Sequence, residues 1–245
     1  MAALSDEIGT LKFVHTYGVG LHSDDSDPDV HDPRWQRRQI DDFVEFAVLA
    51  EELGFDGEFF PVERPTTIAT RPLQDRLPVW LGGSSRETMR LAAARGWNVM
   101  RNFGSNAEHR DALDEYVKVA AEHGHAVSGA NLMIERFVAV GATPEQAERN
   151  LDNMARAFGT FLKLYLAGGG RVIPETDAEF HVEGITGAKG RPVIAVSGTP
   201  DQVIDGLQQV IDETGARRLL VETFSRDEAR LFAEEVIPVL RERNA

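Results

Sequence analysis

The 245-residue sequence contains no cysteine. That excludes disulfides, a thiol nucleophile and thiolate metal sites, and it fits a cytoplasmic protein. No apolar run approaches the ~20 residues that span a bilayer, so a soluble chain with no membrane partner is expected. The first ten residues lack a basic start followed by an apolar core, so no secretory signal is read there. Basic residues are outnumbered: 26 Lys and Arg stand against 40 Asp and Glu, a formal net charge of −14. Phosphate backbones are bound by clustered cations, so this excess argues against a nucleic-acid partner while leaving room for one local basic pocket. Internal repeats and low-complexity linkers are also missing. The length suits one large domain, expected to span residues 1–245.

What is present centres on residues 78–100. Val79, Trp80 and Leu81 form a short apolar strand, and Gly82 and Gly83 turn the chain. Ser84 and Glu87 have the spacing of a capping box, Leu91, Ala92 and Ala94 continue a helix, and Gly96 can end it. A second strand over 97–100 makes a βαβ unit. The free N–H groups and the dipole of such a helix start attract phosphate, although capping alone also accounts for the two serines.

Around this unit the chain alternates strands and helices, which defines an α/β fold. Strands are expected over 11–19, 58–62, 133–140 and 218–223, with a short apolar piece over 192–196. Pro61 argues against a central strand at 58–62. Helices are expected over 35–53, 106–123, from Thr143-Pro144 to about 166, from Thr199-Pro200 to about 214, and over 227–241. Residues 64–77 and 171–191 read as loops. Residues 21–33 are rich in Asp and hold His22 and His31. Asp25, Asp27 and Asp29 lack the glycine that a calcium loop needs next, and Gln36 stands where its closing Glu belongs, so no metal site is assigned.

The order of motifs resembles the luciferase-like flavin-dependent monooxygenase family. The resemblance runs from Phe55-Asp56-Gly57 through Thr70-Arg71-Pro72, Leu77 to Gly83 and Glu87 to Ala93, then to Gly198-Thr199-Pro200 and Val236-Ile237-Pro238. It implies a (β/α)8, TIM-barrel-like fold, here incomplete, since only six or seven strand candidates are present. It also implies a homodimer and reduced FMN as cofactor, with F420 as the alternative. Carried over, Gly82, Gly83, Ser84, Ser85, Arg86 and Thr88 hold the flavin phosphate, with Ser85 and Thr88 as the contacting hydroxyls. Reduced flavin would come from a separate reductase and be used with oxygen on a small aldehyde, ketone or similar substrate.

Two alignments of the N-terminal part are open. In the preferred one, residues 13–53 are the family's first strand and helix, and later strands are deleted. In the other, residues 17–20 are its fourth strand. Where the family often carries a Glu-His pair, this chain has Glu63-Arg64. His15 and His22 are the candidate proton carriers, and Arg101, just past a strand end, is a candidate catalytic residue. The missing strands favour a noncatalytic flavin-binding or subunit-like protein as the alternative to an enzyme. An F420-dependent oxidoreductase is the third reading.

Overall fold

The computed structural model describes residues 11–16, 45, 48–59, 79–167, 187 and 191–245. Seven parallel strands form one sheet: β1 (Lys12–Thr16), β2 (Gly57–Phe59), β3 (Trp80–Gly82), β4 (Asn98–Arg101), β5 (Leu132–Val140), β6 (Ala195–Gly198) and β7 (Arg218–Glu222). Their order is β2-β1-β7-β5-β4-β3, and β6 pairs with the C-terminal end of β5. The first strand therefore lies beside the last, with Phe13 opposite Leu219. That closure is what the preferred alignment requires of 13–53 as the first strand and helix. Among the described residues no strand joins β2 to β3, so the sheet is a partial barrel.

Helices follow the strands: α1 (Arg86–Arg95), α2 (Asn106–Glu122), α3 (Pro144–Ala167), α4 (Pro200–Thr214), α5 (Arg226–Leu231) and α6 (Ile237–Arg243). Residues 48–52 are helical as well, and Gly54 follows in the left-handed region with φ 78°. The starts of α2, α3 and α4 obey their caps. Ser105 Oγ accepts from Glu108 N–H while the Glu108 carboxylate accepts from Ser105 N–H. Thr143 Oγ1 accepts from Gln146 N–H, and Thr199 N–H donates to Gln202 Oε1. In α4, Val203, Ile204, Leu207, Val210 and Ile211 make one buried stripe at helical spacing.

The C-terminal helix departs from expectation. Residues 227–241 were expected to be one continuous helix, but a π turn at Phe232–Val236 separates α5 from α6. It immediately precedes Ile237-Pro238. Proline donates no N–H and its ring crowds the carbonyl four residues back, and a widened turn relieves both.

Strand alternation divides the core by face. Phe13, Leu81, Val99, Ile134, Val138, Leu219 and Val221 point to the convex face and pack with α1, α2, α4 and the C-terminal helices. Val14, Trp80, Met100, Met133 and Leu220 meet on the concave face. Asp56 ties the N-terminal edge of the sheet to the chain end. Its carboxylate accepts from Phe13 N–H at 2.8 Å and pairs with Lys12 at 3.3 Å and Arg241 at 2.9 Å.

Candidate functional site

The loop from β3 into α1 lies at the C-terminal edge of the sheet. Gly83 N–H donates to Met100 carbonyl at 3.0 Å, which extends the β3–β4 pairing by one residue. Gly83 has φ 150°, and a Cβ there would stand 3.0 Å from Thr88 Cγ2 and 3.1 Å from its hydroxyl. Glycine is what lets this loop lie on Thr88. Ser85 is the N-cap: its Oγ accepts from Thr88 N–H at 3.1 Å and shares a hydrogen bond with Thr88 Oγ1 at 3.1 Å. The cap therefore falls one residue later than the expected Ser84–Glu87 box. Ser84 is kept in the loop because its carbonyl accepts from Arg101 Nη1 at 3.1 Å. The Arg86 and Glu87 N–H groups precede the first intrahelical bond, from Met89 to Ser85 carbonyl.

Arg101, at the end of β4, is only 7% exposed. Besides the Ser84 carbonyl it engages His109 of α2, donating from Nε to Nδ1 at 3.1 Å. His109 is fully buried. Burial first, then the charges of Arg136 and Arg101, pull its pKa down to about 3, so the ring is neutral near pH 7. With Nδ1 accepting, the proton sits on Nε2, which has no hydrogen-bond partner among the described residues. Arg136 reaches the same helix start, donating to Asn106 Oδ1 at 2.7 Å. Burial lowers its pKa to about 10, opposed by Glu135.

On the concave face the strands carry two carboxylates. Glu135 follows Met133 by two residues on β5, and Glu222 follows Leu220 by two on β7. Alternation points both toward the interior, at 7% and 6% exposure. Register sets Glu135 beside Leu220 and Glu222 beside Phe137, so the two acids are diagonal neighbours on adjacent strands. Burial pushes Glu135 up to about 7 against the pull of Arg136. Burial, and then the Glu135 charge, push Glu222 well above the usual carboxylate range. Glu222 Oε1 is buried without a hydrogen-bond partner among the described residues.

The structure brings Gly82, Gly83, Ser84, Ser85, Thr88 and Arg101 together at one edge. It turns Arg86 elsewhere: its Nε donates to both Glu115 oxygens, at 2.9 and 3.0 Å, across the α1–α2 groove. His15 is a β1 residue in register with Val221 and Glu58. His22 and the Asp-rich loop lie outside the described residues. Among those described, no group of three or more His, Cys, Asp or Glu could hold a metal ion. Likewise no described helix is long and apolar enough to cross a membrane. Sequence reasoning missed His109, Arg136 and Glu135. Glu135 and Arg136 sit inside an apolar strand pattern, and two charges within it were the available signal.

A loop that frees N–H groups and hydroxyls at a helix start, on the edge of a partial parallel barrel, defines a class. The chain belongs to the luciferase-like monooxygenase family, whose model matches residues 55–218. Its fold is accordingly luciferase-like and TIM-barrel-like, as a partial barrel. It is 24% identical over 234 residues to the alkanal monooxygenase alpha chain of Photobacterium leiognathi, covering 84% of this chain and 64% of that one. The chain thus spans just under two thirds of that relative's length. Among solved structures it resembles a long-chain alkane monooxygenase, with TM-score 0.53, 20% identity, and 68% of this chain and 41% of that one covered. A monooxygenase from Streptomyces bottropensis gives TM-score 0.52 at 17% identity, over 85% of this chain and 63% of that one.

Proposed function

We propose that the protein is a flavin-dependent monooxygenase that uses reduced FMN. The observation that carries this reading is the Gly83–Thr88 loop in a chain of this family. Gly83 leaves no side chain over Thr88, and the hydroxyls of Ser85 and Thr88 stand together at the start of α1. These groups fit a phosphate: hydroxyls, first-turn N–H groups and the positive helix end all favour an anion. Gly82, Gly83 and Ser84 shape the loop around it. When bound, reduced flavin supplies the reaction with oxygen that the protein's own side chains lack.

Arg101 acts here as a positioning residue. Its guanidinium holds the Ser84 carbonyl and so fixes the loop, while the neutral His109 accepts its second bond without adding a competing positive charge. Arg86 is committed to Glu115 and contributes only through the field at the helix start. His15 shares the strand parity of Phe13 and lies in register with Val221, both convex-face positions, so this reading gives it no proton-carrying role. A separate reductase supplies the reduced flavin, the substrate is a small organic molecule, and the family's dimer is the expected assembly.

One observation favours a second reading. Glu63-Arg64 stands where the family often carries a Glu-His pair. A noncatalytic flavin-binding subunit would keep the phosphate loop and lose turnover. Oxygen uptake with reduced FMN and a panel of aldehydes and ketones separates the two. Substrate-dependent uptake with oxygenated product supports the enzyme, whereas FMN binding with no product supports the subunit. Tight binding of F420 without FMN would replace both readings with an F420-dependent oxidoreductase.

A further inference from the structure

The concave face holds a feature that the flavin reading does not use. Its floor is apolar: Val14, Trp80, Met100, Met133 and Leu220. Above it lie the carboxylates of Glu135 and Glu222. Beyond them Phe137 packs edge-on to Phe158 and Phe224, with ring centroids 5.4 and 5.5 Å apart. Along β5, Glu135 thus falls between Met133 and Phe137, and Glu222 of β7 stands beside Phe137. With parallel strands about 4.8 Å apart and a rise of about 3.3 Å per residue, the diagonal places their Cα atoms about 8 Å apart, within reach of two glutamate side chains.

A buried acid pair is costly unless something offsets it. Two cations lie near the pair: Arg136 acts on Glu135 alone, and Arg218, which shares the β7 parity of Glu222, is turned over Trp80 and donates to the Ala130 carbonyl at 2.7 Å. The Arg136 guanidinium donates to Glu135 carbonyl at 2.7 Å and to Asn106, on the convex side. Glu222 Oε1 is left with no partner among the described residues. An acceptor more than nine-tenths buried, beside a second acid, between apolar layers, selects a ligand that is cationic at one end and apolar elsewhere.

We propose that Glu135 and Glu222 bind the ammonium group of an organic cation whose apolar part lies on the Met100–Met133–Leu220 floor. A divalent metal fits less well, because no third His, Cys, Asp or Glu joins the pair among the described residues. The Met100, Met133 and Leu220 side chains favour an alkylammonium ion through apolar contact with its chain, while the face of Trp80 is already covered by the Arg218 guanidinium, 5.4 Å from the ring centroid. Identifying this cation as the substrate rests on the proposed monooxygenase reading; its binding does not, since the site is made of this chain's own residues.

The test is calorimetric titration of the full chain, without flavin, using heptylammonium, heptanol and heptanoate as matched probes. At about pH 8 heptylammonium should bind at least about tenfold more tightly than heptanol, the worth of one charge-assisted hydrogen bond. Glu222→Gln should remove that preference and leave heptanol binding unchanged. In the wild type the preference should also fade as pH drops below about 7, where Glu135 takes up its proton and Arg136 remains charged. This pH arm needs no variant, so it survives any folding failure of Glu222→Gln. Equal binding of the amine and the alcohol would overturn the proposal, as would an amine preference retained in Glu222→Gln. So would tight calcium or magnesium binding without amine preference. A parallel FMN titration keeps the two readings apart: FMN binding without amine preference sinks only this proposal, and the reverse result sinks only the flavin reading.

Discussion

The two faces of the sheet are built from alternate residues of the same strands, yet they differ in what they satisfy. On the convex face nearly every residue is apolar, and its arginines are tied down: Arg101 to His109 and the Ser84 carbonyl, Arg136 to Asn106, with His109 Nε2 left without a partner among the described residues. The concave face begins as apolar with Met100, Met133 and Leu220, then turns acidic with Glu135 and Glu222. The convex face is a surface for holding helices in place. The concave face carries two buried acids whose pKa values burial raises, and one of their oxygens, Glu222 Oε1, has no hydrogen-bond partner among the described residues. The contrast teaches that the strands serve stability and binding through opposite parities of one sequence.

The largest effect should come from breaking the convex face. Leu207 of α4 is fully buried there, and Leu207→Ala should cost about 2–5 kcal/mol of unfolding free energy, measured by chemical denaturation. Next is the edge anchor. Asp56→Ala removes an acceptor shared by Phe13 N–H, Lys12 and Arg241, with an expected loss of about 1.5–3 kcal/mol. A loss as large from a concave-face acid would erase the distinction between the faces.

The opposite sign is expected on the concave face. Glu135 has its folded pKa raised to about 7, so the folded state binds the extra proton. Its favourable contribution is complete below the unfolded value and fades as pH rises from about 4.5 through 7. Glu135→Gln should therefore gain about 1–3 kcal/mol relative to wild type at pH 8, with the difference shrinking toward pH 5. His109 works in reverse on the convex side. Its folded pKa is lowered to about 3, so stability is lost as pH falls from about 6.5 toward 3. His109→Gln should flatten that acid limb in a pH series of thermal melts, and an unchanged limb would show that His109 does not carry it.

The smallest effect on the fold should come from the phosphate loop. Ser85→Ala with Thr88→Ala removes a single exposed cap, worth about 1 kcal/mol of stability, while FMN affinity should fall by about 1–3 kcal/mol. That split would set the loop apart from both faces as a binding element.

Local chemistry made much of this fold legible. Caps at Thr143-Pro144 and Thr199-Pro200 marked α3 and α4 within a residue or two, and the helix expected over 106–123 matches α2, whose Ser105 cap only the structure shows. The position of β1 beside the last strand followed from the favoured alignment rather than from spacing, because strand partners far apart in sequence leave no local signature. Three features escaped for physical reasons. The cap moved to Ser85 because Arg101, distant in sequence, fixes the Ser84 carbonyl. The terminal helix widened before Pro238 through a backbone clash that periodicity does not register. Glu222 falls within the strand expected over 218–223, but its pairing with Glu135 depends on the β5–β7 register, which only the folded sheet provides.

The central claim is that the start of α1 holds the phosphate of a flavin. The most direct measurement is a fluorescence titration of the wild type and the Ser85→Ala/Thr88→Ala variant with FMN and with riboflavin, which lacks the phosphate. The account predicts that the wild type prefers FMN by about tenfold or more and that the variant loses this preference while binding riboflavin as before. Equal wild-type affinity for the two flavins, or a preference for FMN that survives in the variant, would contradict it.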